Sequence, residues 1–133
     1  IIKDGKPEMQ LKELIKYVVN QLFKFNYFHG FVTQELRHTE HLKTDLLEFY
    51  TTFTSKIDDV IKKGVASGVF QNTPKPEDIL TLIVGSSLFV IRNKNFYELY
   101  VTGKEETYLQ DAEKKIFANL LVTVFSLVGY SAS

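Results

Sequence analysis

The chain has 133 residues, with 16 basic and 16 acidic side chains, a formal net charge of zero and no cysteine. The lack of cysteine excludes a disulfide scaffold, a thiolate zinc site and a cysteine nucleophile. Neutral charge argues against nucleic-acid binding by this stretch alone, because phosphate recognition relies on clustered Lys and Arg.

A chain of this length buries roughly two-thirds of its unfolded surface, so we expect residues 1–133 to form one domain. The longest apolar run is Ile79–Ile91, which Gly85, Ser86 and Ser87 interrupt. It is shorter than the ~20 residues that span a bilayer, and no signal segment follows Ile1. We therefore expect no membrane contact and a cytoplasmic location, and we interpret the sequence as a fragment of a longer protein.

The low content of Gly and Pro favours long helices over many short strands. The first predicted helix covers about residues 8–25, where apolar residues recur at steps of three and four: Leu11, Leu14, Ile15, Val18, Leu22 and Phe25. A short second helix fits residues 28–38, with Phe31, Val32 and Leu36 inward.

The third predicted helix covers about residues 42–66 and is amphipathic throughout. Gly64 and Gly68 bracket its end, and Lys62 and Lys63 complement the negative end of the helix dipole. The loop that follows leads to Pro76, which is typical of the first position of a helix.

The fourth predicted helix covers about residues 76–92 and the fifth about residues 105–128. Both are apolar on more than one face, which predicts burial on more than one side. One interpretation is that these two helices meet a second copy of the chain as a dimeric four-helix bundle, because large exposed apolar patches mark partner surfaces. The alternative is that they are the central helices of a single bundle. The predicted interface residues are Leu80, Val84, Leu88, Phe117, Leu120, Leu121, Val124, Phe125 and Val128.

Five helices in one chain indicate an all-α domain. The order of the elements, and above all the sequence Gly64-Val65-Ala66-Ser67-Gly68-Val69-Phe70 followed by a helix that Pro76 begins, resembles the C-terminal regulatory domain of the TetR family of bacterial transcription repressors. The resemblance covers essentially the whole chain. The N-terminal helix-turn-helix of that family is missing from this sequence.

The resemblance implies a homodimer that binds operator DNA only through the absent N-terminal domains. It implies release of that DNA when a small molecule enters a pocket among the C-terminal helices. It also implies that the last two helices pack on their partner copies, in agreement with the apolar surface described above. The family pattern fixes no pocket residue, so pocket residues must be predicted from this chain.

Aromatic residues form three clusters along the sequence, and aromatic walls are typical of small-molecule pockets of ~300–1,000 Å³. If the clusters converge around the third helix, they predict a site for a small apolar or aromatic ligand, with Arg92 placed to neutralise an acid group. The predicted ligand-binding residues are Phe23, Tyr27, Phe28, Phe31, Phe49, Tyr50, Phe53, Phe89 and Arg92. The alternative for each residue is an ordinary place in the core.

One polar stretch concentrates metal-capable side chains: Glu35, His38 and His41 follow one another at steps of three. A di-iron site in a helical bundle needs two Glu-x-x-His pairs and further carboxylates, and this chain has one such pair. We interpret the stretch as a solvated helix end and expect neither a metal nor a cofactor. No nucleophile elbow or phosphate-binding loop is present either, so no catalytic residue is predicted.

These observations leave two main hypotheses. The first is the effector-binding and dimerisation domain of a TetR-like regulator. The second is a stand-alone helical protein-interaction module without a small-molecule ligand.

Overall fold

The computed structural model describes residues 5–24, 40–93 and 108–131. Four α-helices lie in these ranges: α1 (Pro7–Lys24), α2 (Glu40–Ser67), α3 (Pro76–Arg92) and α4 (Tyr108–Leu127). No strand lies in the same ranges, so the predicted all-α class is confirmed for the described residues. The predicted helix at 28–38 and the predicted start of the last helix at residue 105 lie outside them.

The starts of α1 and α3 follow directly from local chemistry. Each begins at a proline, Pro7 or Pro76, whose fixed φ suits the first turn. Proline has no N–H, and at this position a backbone N–H would have no partner within the helix. Acidic side chains stand in the first turn of both, and a basic residue closes each last turn, as the helix dipole favours.

The core is built from all four helices, and α1 contacts each of the other three. Its buried stripe faces them with side chains spaced by three or four residues. The fully buried members of the core, each less than 2% exposed, include Leu11, Ile15, Val18, Ile57, Ile79 and Ile83. α3 also contacts the other three helices, so α1 and α3 are the central helices of the core.

The Gly-x-x-x-Gly-x-Phe motif ends α2 by bringing a phenylalanine back onto the helix. Gly68, with φ of 84°, turns the chain, and the Phe70 N–H then donates to the Gly64 carbonyl at 3.0 Å. The Phe70 side chain is 1% exposed. A methyl group on Gly64 would come within 2.6 Å of three carbons of the Phe70 ring, so the ring needs a glycine beneath it.

The same loop is fastened to the end of α4, and we call residues 69–72 with 127–131 the clasp. The N–H groups of Gln71 and Asn72 both donate to the Val128 carbonyl at 3.0 Å, and that of Ser131 donates to the Val69 carbonyl at 2.9 Å. The Asn72 side-chain amide donates to the Leu127 carbonyl at 3.2 Å. The clasp therefore joins the ends of α2 and α4.

Aromatic rings complete the clasp. Helix α4 ends in a Schellman motif, in which Tyr130 N–H bonds the Phe125 carbonyl and Gly129, with φ of 65°, takes the left-handed position. The ring of Tyr130 packs on Phe125 at 5.3 Å between centroids and edge-on to Phe70 at 6.3 Å. The rings thus link the turn that follows α2 to the turn that follows α4.

Replacing Gly68 with alanine is expected to lower the free energy of unfolding by about 1–2 kcal/mol. A Cβ at this position meets no atom within 4 Å, so the cost is the left-handed backbone alone. Urea unfolding followed by circular dichroism measures it. A variant as stable as the parent would contradict the positive φ.

Candidate functional site

Three aromatic side chains stack between α1 and α2, and we call Tyr17, Phe49 and Phe53 the aromatic cluster. The rings of Phe49 and Phe53 are 4.9 Å apart, and that of Tyr17 lies 5.7 Å from Phe53, nearly parallel at 23°. Phe53 is buried, Phe49 is half-buried and Tyr17 is 42% exposed. The cluster thus runs from the core to the surface.

The structure brings together only part of the predicted ligand site. Phe49 and Phe53 meet as predicted, whereas Phe23 is a buried member of the core and Tyr50 points to solvent from α2, 42% exposed. The other predicted aromatic residues of this group, Tyr27, Phe28 and Phe31, lie outside the described residues.

Phe89 and Arg92 lie on the outward face of α3, away from its buried stripe of Ile83, Ser87 and Val90. Phe89 is 56% exposed. With Gly85, Leu88 and Asn93, these two residues line an open surface hollow of about 420 Å³. The structure therefore separates the predicted ligand residues into an α1–α2 group and an α3 surface group.

Apolar side chains continue along the outer side of the neighbouring helix α4. Phe117, Leu121 and Phe125 recur every fourth residue and are half-buried, and Val122 beside them is 74% exposed. α3 and α4 contact each other, so these residues and the exposed residues of α3 lie on neighbouring helices. We call the combined surface the outer face, with the members Val84, Leu88, Phe89, Phe117, Leu121, Val122 and Phe125.

Four predicted interface residues are core residues within one chain: Leu80, Leu120, Val124 and Val128 are between 0% and 3% exposed. This burial leaves them almost no surface for contact with a second copy. Both helices are apolar nearly all round, and periodicity alone does not say which side the other helices cover. The remaining five, Val84, Leu88, Phe117, Leu121 and Phe125, are half-buried and belong to the outer face.

Two residues of these surfaces were not predicted. Tyr17 stands on the otherwise polar face of α1. Val122 lies between Leu121 and Thr123, and the sequence pattern does not say whether it faces the core or solvent. Each could have been predicted as a surface residue of a site because it is an apolar or aromatic residue outside the buried stripe of its helix.

In the part of the chain that the structure describes, polar side chains join α1 to both α2 and α4. The Lys63 ammonium donates to the Gln10 side-chain carbonyl at 3.1 Å, between α2 and α1, and Gln10 is 3% exposed. The Asn20 amide donates to Glu113 at 3.1 Å, between α1 and α4. On the exposed surface of α2, the hydrogen bond to Asp58 raises the pKa of Lys62. These contacts position helices and converge on no cleft.

The described residues contain no cluster of three or more His, Asp or Glu side chains able to hold a metal ion. Glu35 and His38 lie outside these residues, so the polar stretch that contains them stays a sequence-based interpretation. None of the described helices combines the length and the apolar character that a membrane crossing requires.

A family model described as the tetracyclin repressor-like C-terminal domain matches residues 7–116 of the chain. The matched range takes in all of α1, α2 and α3 and the first part of α4. No curated protein and no solved structure matches the chain at a significant level.

Proposed function

The chain belongs to the family of tetracyclin repressor-like C-terminal domains, and on this premise we propose that it is the effector-binding and dimerisation domain of a bacterial transcription regulator. Residues 1–133 form one regulatory domain in this proposal. DNA binding belongs to a helix-turn-helix domain outside the present sequence.

The observation that carries the proposal is the outer face of α3 and α4. Phe89 and Val122 are 56% and 74% exposed on neighbouring helices, next to half-buried Phe117, Leu121 and Phe125. Exposed apolar side chains on two helices that contact each other favour a protein partner over solvent. A second copy of the chain would cover them by a two-fold arrangement in which the same patch serves both subunits.

The proposed ligand site is the aromatic cluster. Tyr17 and Phe53 join α1 to α2, so a small apolar ligand that inserts beside them favours one packing of these helices over another. That preference is passed to the DNA-binding domains by the rigid helices of the bundle.

Light scattering coupled to size-exclusion chromatography tests the dimer directly. We expect a mass of twice 15.3 kDa at micromolar protein concentration. A monomer under these conditions would remove the support that the outer face gives to the regulator assignment.

Replacing Phe49 with alanine is expected to reduce ligand binding and to leave the fold intact, because Phe49 is only half-buried and its ring contacts Phe53. A ligand at 100 times its dissociation constant stabilises its protein by about 2.7 kcal/mol. In thermal unfolding with a panel of planar aromatic and aliphatic compounds, we expect a compound that stabilises the parent to bind the variant about tenfold more weakly.

The matched control is Ile116→Ala, which removes another half-buried apolar side chain, from α4 and outside the outer face. It should keep the ligand-induced rise in melting temperature. Equal losses in both variants would place the ligand elsewhere, and a panel without any stabilising compound would favour the stand-alone interaction module.

A further inference from the structure

Among the side chains of α2 that the structure describes, residues 47–67, burial changes along the helix. In the C-terminal half, Ile57, Val60 and Ile61 are buried, and the clasp fixes the end of the helix through Phe70. Farther toward the N-terminus, Leu47 is 63% and Tyr50 is 42% exposed. Helices in proteins draw most of their stability from tertiary packing, so the turn containing these residues is the less stable part.

A run of hydroxyl residues lies at the junction between the two halves: Thr51, Thr52, Thr54 and Ser55. Threonine is a poor helix former because its branched side chain is restricted by the preceding turn. Three threonines and one serine within five positions make this the part of α2 with the lowest intrinsic helix propensity.

Two of these hydroxyls also compete with the helix for its own carbonyls. The Thr51 hydroxyl donates to the Leu47 carbonyl at 2.6 Å, and the Thr54 hydroxyl donates to the Tyr50 carbonyl at 2.8 Å. Each also lies within reach of a second carbonyl, three residues back. Hydroxyl bonds of this type weaken and bend helices, since the carbonyl they use is shared with the backbone N–H four residues on.

We propose that residues 51–55 are a hinge in α2, about which the N-terminal arm of the helix moves while the clasped arm stays fixed. Phe49 lies on the moving arm, whereas Phe53 packs on Tyr17 of α1. Opening of the hinge therefore changes the distance between the Phe49 and Phe53 rings. Resting here on the proposed function, a ligand at the aromatic cluster acts on α2 by selecting one state of this hinge.

Hydrogen exchange of the ligand-free protein, followed residue by residue, tests the hinge. We expect the amides of residues 51–58 to exchange at least about tenfold faster than those of residues 60–67. In Thr51→Ala/Thr54→Ala, we expect exchange at 51–58 to slow by about five- to tenfold, because alanine removes the competing hydroxyls and is the best helix former. Both threonines are exposed or half-buried, so the replacement opens no large cavity.

Two controls separate the hinge from a general effect of substitution. Thr51→Ser/Thr54→Ser keeps the hydroxyls and a low helix propensity, so its exchange should stay near that of the parent. Thr123→Ala removes a hydroxyl that bonds the Asn119 carbonyl at 2.9 Å in α4 and should leave α2 unchanged. Uniform protection along α2, or an alanine pair that exchanges like the parent, would overturn the hinge.

The exchange experiment uses no ligand and does not depend on dimerisation. A monomer in light scattering would overturn the proposed function and leave this result as it stands. A dimer with a uniformly protected α2 would overturn the hinge alone.

Discussion

Replacing Gly64 with alanine is expected to lower the free energy of unfolding by about 3 kcal/mol. The added methyl group would come within 2.6 Å of three ring carbons of Phe70, closer than real Cβ atoms pack. The ring has no room to retreat, because Phe70 is 1% exposed and its N–H is bonded to the Gly64 carbonyl. Relief requires the clasp to shift, and overpacking of this kind typically costs 1–3 kcal/mol or more.

The matched control is Gly85→Ala. Gly85 is also helical, but a Cβ there meets nothing within 4 Å. Alanine exceeds glycine in helix propensity by about 1 kcal/mol, so this variant should be as stable as the parent or more so. Thermal and urea unfolding in dilute protein measure both variants, with a loss of about 10 °C in melting temperature expected for Gly64→Ala. Equal stability of the two would contradict the packing of Phe70 against α2.

The positions of the helices could largely be predicted from the sequence. The predicted helix at 76–92 has the observed bounds of α3, and the predictions at 8–25 and 42–66 differ from α1 and α2 by one or two residues at each end. Proline at the first position of a helix and glycine after its last turn are local signals, which can be recognised in the sequence without knowledge of the tertiary structure.

The clasp could not be predicted in the same way. The motif from Gly64 to Phe70 correctly indicated the end of a helix, and the return of Phe70 onto Gly64 follows from its spacing. The pairing of Phe70 with Tyr130, however, joins segments far apart in the chain. An isolated bridge of this kind leaves no periodicity in either segment, because it depends on how α2 and α4 are placed by the core.

The candidate site shows the same division between local and non-local information. Phe49 and Phe53 are one turn apart on α2, and their contact follows from the helix period. Tyr17 joins them from α1, which only the packing of the two helices determines. Leu120 and Val124 are buried in the core, which the sequence does not show, since a helix that is apolar nearly all round has no face that periodicity selects.

Replacing Val122 with glutamate is expected to raise the dissociation constant of the proposed dimer by at least about 100-fold. Val122 is 74% exposed in one chain, so glutamate is solvated in the monomer and the fold does not change. Within a two-fold interface, each subunit would place one carboxylate in an apolar contact, and an unpaired charge there costs several kcal/mol. Every 1.4 kcal/mol of that cost is a tenfold change in affinity.

The matched control is Leu47→Glu, which puts the same charge on an apolar residue that is 63% exposed on α2, a helix that contributes no residue to the outer face. Sedimentation equilibrium over nanomolar to micromolar protein should give the parent dissociation constant for Leu47→Glu and a monomer for Val122→Glu. Because both variants carry the same added charge at similarly exposed positions, a difference between them reports on the location of the contact and not on net charge. Loss of the dimer in Leu47→Glu alone would instead place the interface on α2 and leave the outer face of α3 and α4 without its proposed partner.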